Sequence, residues 1–471
     1  MAYYPTSTWL GRPAVCVEKF SLLLVIQTSV RALARRVGGD IAQALSGSIL
    51  IQVGAGAASF AMLSLAARAM SAHDFGHLAM WLSITQMGGV FAVFGQEMFV
   101  LRSLNQYAAA DSPELAHGAA LFSLQIVSVI PVLTATCLFL TGSFLLQESK
   151  SLMVAASLYL VANSIIAFGS HLARFAVRTL LTDGTRELLW KGLVVLVLLV
   201  IVGKKGSIGE TEFLSVACGA LAIAITVQGI IVYTAFPRHL LATKPAWRTG
   251  EWLRASSHFW ITSILEALNQ YFDVLVVYWL LDAQSAGVYF VATRLANVFG
   301  TLLSAVHAFA TRRIPGLYFN RNMEELNRVL LSMAEVVLLC VIGGLLVVWV
   351  GGGMLLGLFG PSFAGEKWTL LVLVTGTSLY AAGGPAPAIL MIAGFEGRYP
   401  WILAGSIALR LVGFIVLIPF FGLMGAAMAA TLSLLIMTVT MNVLCRRWTG
   451  IDPSVLAVVR KFRRSRMIAA N

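Results

Sequence analysis

Charged residues are scarce in this chain of 471 residues. Asp, Glu, Lys and Arg together make up 11% of the sequence, whereas hydrophobic residues make up 59%. Soluble globular domains typically carry about 25% charged residues, so the composition excludes a soluble protein of this length. It indicates a polytopic membrane protein whose apolar helices face lipid.

The sequence also lacks the motifs of common catalytic and metal sites. It has five Cys and seven His residues, with no CxxC pair, no HExxH pattern and no GxxxxGK[ST] phosphate loop, so neither a metal centre nor ATP hydrolysis is predicted. The gaps between apolar stretches on the predicted non-cytoplasmic side are short, and the longest covers residues 351–366. This leaves no room for a folded catalytic domain, which disfavours an integral-membrane glycan polymerase. We expect no enzyme activity, no catalytic residues and no cofactor.

Long apolar stretches are what the sequence does contain, and we identify twelve. A helix needs about 20 mostly apolar residues to cross the hydrocarbon core of a membrane. The stretches form two sets of six, near 43–67, 77–101, 117–143, 152–172, 188–203 and 213–236, and near 256–281, 286–310, 329–350, 367–393, 400–420 and 423–445. Two such sets predict an all-α membrane protein of two six-helix lobes, related by an axis along the membrane normal.

The segments outside the two sets are polar and basic. We assign residues 41–236 to an N-lobe, 237–255 to a cytoplasmic linker, 256–446 to a C-lobe and 447–471 to a basic cytoplasmic tail. Within residues 1–40, an apolar segment is too short to cross a membrane and is followed by three arginines. This pattern favours an amphipathic helix on the cytoplasmic leaflet over the alternative, a signal-peptide-like segment.

Basic residues are concentrated on one side of the predicted topology. If the N-terminus is cytoplasmic, 26 of the 33 Lys and Arg residues lie in cytoplasmic segments and five lie on the opposite side. The positive-inside rule then places both termini in the cytoplasm. The net charge of +12 follows from this topology, so we expect contacts with anionic lipids and none with nucleic acid.

The two sets of spans match at an offset of 211 residues. The segment SAHDFG, which ends at Gly76, corresponds in position to DAQSAG, which ends at Gly287, and each precedes a long apolar stretch. At this offset Ser83 pairs with Arg294. The second set therefore carries a charge that the first lacks.

Two opposite charges are predicted at equal depth in the membrane. Asp273 lies about eight residues before the end of its span and Arg294 about eight residues into the next, which places both about 12 Å deep. A charge at mid-membrane costs at least about 2.5–3.5 kcal/mol, so each should face protein or water. Asp273 and Arg294 are then either a permanent structural pair or a switchable one, in which Arg294 binds an anionic substrate while Asp273 binds H+ or Na+. Glu266 lies two helical turns before Asp273 on the same face and is a second candidate for ion coupling.

Four further arginines are candidates for substrate contact. Arg68 is expected to anchor the outer end of its span, with a role in a cavity as the alternative. Arg410 lies within a span but near enough to its end to snorkel. Arg174 and Arg178 lie at the cytoplasmic mouth, where the positive-inside rule alone would also place them.

Glycine and proline interrupt the tenth span. Pro385 and Pro387, which follow Gly383 and Gly384, remove backbone hydrogen bonds near its middle, so a kink or an unwound turn is predicted. In a transporter such an interruption is a candidate hinge, although proline kinks also occur in membrane helices that do not move.

Three segments resemble those of a known family. They are AARAMSAHDFG at residues 66–76, DVLVVYWLLDAQSAGVYFVATRL at 273–295 and GLMGAAMAATLS at 422–433. In order and span position they are similar to the polysaccharide-exporting flippases of the multidrug/oligosaccharidyl-lipid/polysaccharide exporter superfamily. The Tyr-x4-Arg-Leu context of Tyr289, Arg294 and Leu295 also resembles that of an arginine in the lipid II flippases, which faces a cationic cavity.

The resemblance implies a function. Such proteins turn a glycan on undecaprenyl diphosphate from the cytoplasmic to the periplasmic leaflet of the bacterial inner membrane by alternating access, for O-antigen, capsule or exopolysaccharide synthesis. A polysaccharide polymerase and export machinery would be partners. Arg294 would contact the diphosphate, because a guanidinium can hold phosphate oxygens in a wet lumen. The chain lacks the last two helices and the further cavity arginines of the lipid II flippases, so lipid II is not the expected substrate. The alternative is an ion-coupled multidrug or metabolite antiporter of the same fold, which Glu266 and Asp273 keep open.

Overall fold

The computed structural model describes residues 39–177, 179–237, 240, 243–311 and 314–456. Contacts divide the chain into two compact units, Met1–Ile51 and Gln52–Asn471. The described part of the first unit is helical. The surface helix predicted within residues 1–40 lies outside the described residues apart from its last two, and so does most of the predicted basic tail.

The regular structure of the described residues is entirely helical. We number its helices in chain order: α1 Gly39–Ala69, α2 Ala72–Val93, α3 Gln96–Ala109, α4 Pro113–Leu140, α5 Lys150–Ala176, α6 Thr179–Gly184, α7 Trp190–Lys205, α8 Glu210–Ala235, α9 Thr249–Leu280, α10 Ala283–Thr311, α11 Ile314–Phe319, α12 Met323–Gly357, α13 Lys367–Ala382, α14 Ala386–Ile392 and α15 Tyr399–Thr449. Short π-helical turns follow α4 and α6, and 3-10 turns precede α13 and α15.

Seven helical stretches of the described residues are long and apolar enough to cross a membrane. They are Ala72–Ala109, Pro113–Leu145, Lys150–Ala176, Glu210–Ala235, Met323–Gly357, Pro361–Ile392 and Tyr399–Thr449. The last one reverses at Gly422, whose backbone is not helical (φ 56°, ψ −135°), between the predicted eleventh and twelfth spans. The prediction of a polytopic all-α membrane protein is confirmed.

The predicted cytoplasmic linker, residues 237–255, contains the start of a helix, because α9 begins at Thr249. In the first turns of α9, Trp252 is buried against the aromatic rings of Phe99 and Phe122. Burial of aromatic surface stabilises the helix in this polar segment.

The second predicted span is broken where the chain meets α9. Phe94 and Gly95 both have left-handed backbones, with φ of 53° and 69°, and separate α2 from α3. A Cβ atom at Gly95 would lie 2.5 Å from the carbonyl oxygen of Ser256. Only glycine combines this backbone with so close an approach of two helices.

The starts of α2 and α10 cross at the paired glycines. A Cβ atom on Gly76 would lie 1.7 Å from the carbonyl oxygen of Ala283, and one on Gly287 would lie 3.0 Å from the Cα atom of Gly76. The offset of 211 residues thus identifies two positions that are in direct contact. We call this end of the helices the Gly76 end.

Further contacts join the two halves of the sequence at the Gly76 end. The rings of Phe60 and Phe359 pack edge to face at 4.9 Å between centroids, and those of Phe75 and Phe363 do so at 5.7 Å. Phe75, Phe359 and Phe363 lie near chain reversals, whereas Phe60 lies within α1. The halves are therefore packed together at this end.

Candidate functional site

Asp273 and Arg410 form a buried ion pair in the second half of the chain. Nη1 of Arg410 donates to both carboxylate oxygens of Asp273, at 3.1 and 2.9 Å. The side chain of Arg410 is 6% exposed and that of Asp273 is 13% exposed. The pair joins α9 to α15 and satisfies two charges that neither lipid nor an apolar core could accommodate singly.

Neighbouring polar atoms occupy most of the remaining donors of Arg410. Its Nε donates to Oγ of Ser433 at 3.0 Å, its Nη2 to Oδ1 of Asn269 at 2.5 Å, and its Nη1 also to the carbonyl oxygen of Asn269 at 3.1 Å. The hydroxyl of Tyr289 donates to Asp273 at 3.4 Å. Arg410 is thus fixed inside the protein and does not snorkel, and its role in substrate contact stays a prediction.

Asp273 and Arg294 do not form a pair in this structure, so the permanent structural pair is wrong, whereas the switchable pair stays a prediction. The guanidinium of Arg294 lies over the ring of Tyr271, at 5.1 Å from its centroid. Tyr271 precedes Asp273 by two residues, which is about 200° around a helix, so Arg294 and Asp273 lie on opposite sides of α9. Counting residues along two spans gives depth, but it does not give the rotation of each helix.

A polar cavity of about 470 Å³ lies beside the ion pair, between α9, α10, α13 and α15. Its wall on α9 carries Glu266, Asn269, Gln270 and Asp273, which share one helix face as their spacing predicts. Its other lining residues include the tyrosines at 289, 380 and 399. Because Arg410 compensates Asp273, Glu266 provides the remaining formal charge among the described residues of this wall.

Arg294 is held by aromatic rings instead of by a carboxylate. Its guanidinium lies 4.9 Å from the ring centroid of Phe290 and 5.1 Å from that of Tyr271, and it forms no ion pair with any carboxylate in the described ranges. Tyr159, from the first half, lies within electrostatic reach of it. Ring faces stabilise a cation without using its in-plane N–H donors. Those donors are therefore available to an oxyanion.

Tyr159 takes part in a chain of hydrogen bonds between neutral side chains in the first half. Gln86 donates to the hydroxyl of Tyr159 at 2.9 Å and accepts from Nδ2 of Asn163 at 3.1 Å. Tyr159 was not predicted as part of a site, because one tyrosine in an apolar stretch has no distinguishing spacing. Its electrostatic interaction with Arg294 exists only in the folded chain.

The other predicted arginines are not grouped with Arg294. Nε of Arg68 donates to the carbonyl oxygen of Leu358 at 2.7 Å, and Oγ of Ser64 donates to the same oxygen at 2.6 Å, which links the ends of α1 and α12. Arg174 pairs with Asp183 at 2.7 Å. Arg178 lies outside the described residues.

The predicted interruption of the tenth span is present. The helix α13 ends at Ala382, α14 begins at Ala386, and Gly384 between them has φ of 71°. A Cβ atom on Gly384 would lie 2.1 Å from the carbonyl oxygen of Pro453. The chain after α15 therefore packs against the break, and the role of Gly383, Gly384, Pro385 and Pro387 as a hinge stays a prediction.

Comparison with known sequences adds a family match. The model of the family described as polysaccharide biosynthesis protein matches residues 42–311, which is more than half of the chain. The match includes Arg294 and Asp273. A comparison with curated proteins found no significant match.

Several solved transporters are similar in fold. The inward-facing conformation of a multidrug resistance MATE family transporter of the MOP superfamily has a TM-score of 0.69 at 12% identity, over 86% of this chain and 95% of that one. An outward-facing conformation described in the same words gives 0.62 at 14%, over 88% and 96%. A mutant of the MATE transporter VcmN from Vibrio cholerae gives 0.61 at 16%, over 89% and 98%. At these identities the likeness shows a shared fold.

Proposed function

The chain belongs to the polysaccharide biosynthesis protein family, and from this premise we propose that it is a flippase for undecaprenyl-diphosphate-linked oligosaccharide. It would move this substrate from the cytoplasmic to the periplasmic leaflet of the bacterial inner membrane, for synthesis of O-antigen, capsule or exopolysaccharide. Arg294 carries the proposal, because it is a membrane-embedded cation with two aromatic supports and no carboxylate partner among the described residues.

The chemistry of the substrate fits this arginine. A diphosphate cannot cross hydrocarbon bare, and a guanidinium offers it a planar set of donors that matches phosphate oxygens. The rings of Tyr271 and Phe290 hold the cation in place. The polyprenyl tail can remain in lipid while the diphosphate stays at Arg294, so no covalent bond has to break.

The packing of the two halves supports alternating access. We assign the Gly76 end to the periplasm from the distribution of Lys and Arg, which places both termini in the cytoplasm. Contacts such as Phe75 with Phe363 close this end, and the higher TM-score to the inward-facing transporter agrees with that state. The lobes 41–236 and 256–446 would rock about these contacts, with Gly383 to Pro387 as a flexible point.

The second-half cavity is the proposed site of ion coupling. Asp273 and Glu266 both line it, and either carboxylate could take up H+ or Na+. A cation at Asp273 would compete with Arg410, which now satisfies that carboxylate at 2.9 Å. Uptake of an ion would therefore loosen the link between α9 and α15.

Substitution of Arg294 tests the proposal. In cells that lack the chromosomal gene, Arg294→Ala should abolish surface polysaccharide and Arg294→Lys should restore part of it, because a lysine keeps the charge but loses the planar donor set. Arg328→Ala is the matched control, since Arg328 is 73% exposed and pairs with Glu324 on the surface. Surface glycan is measured at protein levels matched by immunoblot. Normal export by Arg294→Ala at matched levels would refute the proposal.

A second candidate function is export of cationic drugs or metabolites in exchange for an ion. It is favoured by one observation, the acidic side chain of Glu266 in a cavity whose other carboxylate is neutralised. Cells without the protein would then become sensitive to cationic dyes and would keep their surface glycan. The flippase proposal predicts the opposite pair of results.

A further inference from the structure

His77 contacts two carboxylates at the Gly76 end. Its Nδ1 lies 2.6 Å from Oε2 of Glu210, and its Nε2 lies 3.0 Å from Oε1 of Glu148. The side chain of His77 is 13% exposed, and those of Glu148 and Glu210 are 22% and 19% exposed. The three groups are therefore largely shielded from solvent. We call this cluster the His77 tie.

Two short contacts to carboxylates favour the charged form of the ring. An ionised carboxylate can only accept hydrogen bonds, and a neutral imidazole has a single N–H. With both carboxylates ionised, the two contacts are satisfied together when His77 is an imidazolium, whereas in the neutral ring Nε2 can accept from Nε1 of Trp81, which lies 3.3 Å away. Loss of the proton would leave a nitrogen lone pair facing a carboxylate oxygen, which is repulsive.

The His77 tie joins separate parts of the chain. His77 is in the second turn of α2, Glu148 lies in the turn before α5, and Glu210 is the first residue of α8. The ring of Tyr278, on α9 of the second half, lies 6.1 Å from that of His77. In the described part of the chain, the titratable groups that face His77 from the packed elements are Glu148, Glu210 and Tyr278, and α4 and α10 supply no ion partner.

We propose that the His77 tie is a proton-binding site that holds the first-half helices together at the Gly76 end when His77 is charged and loosens them when His77 is neutral. Protonation joins the starts of α2 and α8 to the turn before α5. Deprotonation breaks at least one of these links and leaves two neighbouring carboxylates without a cation. The proposal concerns the packing of the first half at this end and does not depend on the identity of the substrate.

Two histidines one helical turn apart provide a matched comparison. His77 makes the tie, whereas His73 is 74% exposed and lies beside Asp74 on the same helix. The full-length protein in lipid nanodiscs should melt roughly 2–4 °C lower at about pH 8.5 than at about pH 5.5 because of the tie. His73→Gln should keep this difference, and His77→Gln should lose it because glutamine does not titrate. An undiminished pH dependence in His77→Gln would refute the proposal.

A second measurement locates the change and remains informative if His77→Gln folds poorly. Glu148→Gln and Glu210→Gln each keep the shape of one partner but remove its charge, so each should weaken the pH dependence of melting. Hydrogen–deuterium exchange, corrected for its intrinsic pH dependence, should rise with pH in residues 146–152 and 208–213 of the wild-type protein and not in Glu210→Gln. Equal rises in both proteins would also overturn the proposal. Neither readout involves transport, so both remain valid if the flippase proposal fails.

Discussion

The two halves of the chain use different polar chemistry around their central helices. In the first half, Gln86, Tyr159 and Asn163 form a neutral chain of hydrogen bonds. In the second half, Asp273 and Arg410 form a buried ion pair. A neutral network joins helices at little electrostatic cost, whereas a buried pair depends on both of its partners.

Ser83 and Arg294, which correspond at the offset of 211 residues, also differ in charge between the two halves. Ser83 is fully buried and donates to the carbonyl oxygen of Ala79 within its own helix. Arg294 is partly exposed and is held by ring faces. The second half therefore contains one arginine for structure, at 410, and another at 294 whose donors remain available. The difference suggests that structural and transport roles lie on separate residues of this half.

Removing one partner of the ion pair should have the largest effect on stability. Arg410→Met leaves Asp273 buried without its cation, which should cost about 3–5 kcal/mol. The loss is measured as a lower melting temperature of the purified protein in detergent. The double variant Arg410→Met with Asp273→Leu should recover part of it, because no charge is then left unpaired.

Arg294→Ser is the control that sharpens this comparison, since it introduces the residue found at position 83. It should cost about 1–2 kcal/mol, because two cation–π contacts are lost, which is less than Arg410→Met, while export is lost. A loss of stability as large as that of Arg410→Met would show that Arg294 is structural and would contradict the division of roles.

An intermediate effect is expected at the glycine crossing. Gly76→Ala places a Cβ atom 1.7 Å from the backbone oxygen of Ala283, so the two helices must separate, at a cost of about 1–3 kcal/mol. Gly287→Ala has its nearest contact at 3.0 Å and should cost less. The melting temperatures of the two variants test this order. Equal melting temperatures would contradict it.

The smallest effect is expected in the neutral network of the first half. Gln86→Leu removes the donor to Tyr159 and the acceptor for Asn163, which should cost about 1 kcal/mol. The same melting assay measures it. A cost equal to that of Arg410→Met would show that the neutral network is no less sensitive than the charged one.

Several features of the site were predictable because they depend on local spacing. Glu266 and Asp273 share the face of α9 that lines the cavity, as a separation of two helical turns indicates. The break at Gly384 follows from glycine and proline chemistry. In each case residues that are close together in the sequence determine the feature.

The ion partners were not predictable, because they depend on how distant helices are rotated against each other. Arg410 is 137 residues from Asp273, and its burial distinguishes it from a snorkelling arginine only after α15 has packed against α9. Nothing in the sequence distinguishes Tyr271 and Phe290 as the rings that contact Arg294, since aromatic residues are common in apolar stretches. The His77 tie likewise joins residues 71 and 133 positions apart.

The sequence by itself determined that this is an all-α membrane protein, where its helices run and which face of α9 is polar, because composition and periodicity act within each segment. Only the tertiary structure decided that Asp273 binds Arg410, that Arg294 keeps its donors available and that His77 lies between two carboxylates. Each of these outcomes depends on the rotation and contact of helices far apart in the chain. The depth of a residue in the membrane can be counted along its own helix, whereas the partner of a charged residue depends on how two helices pack together.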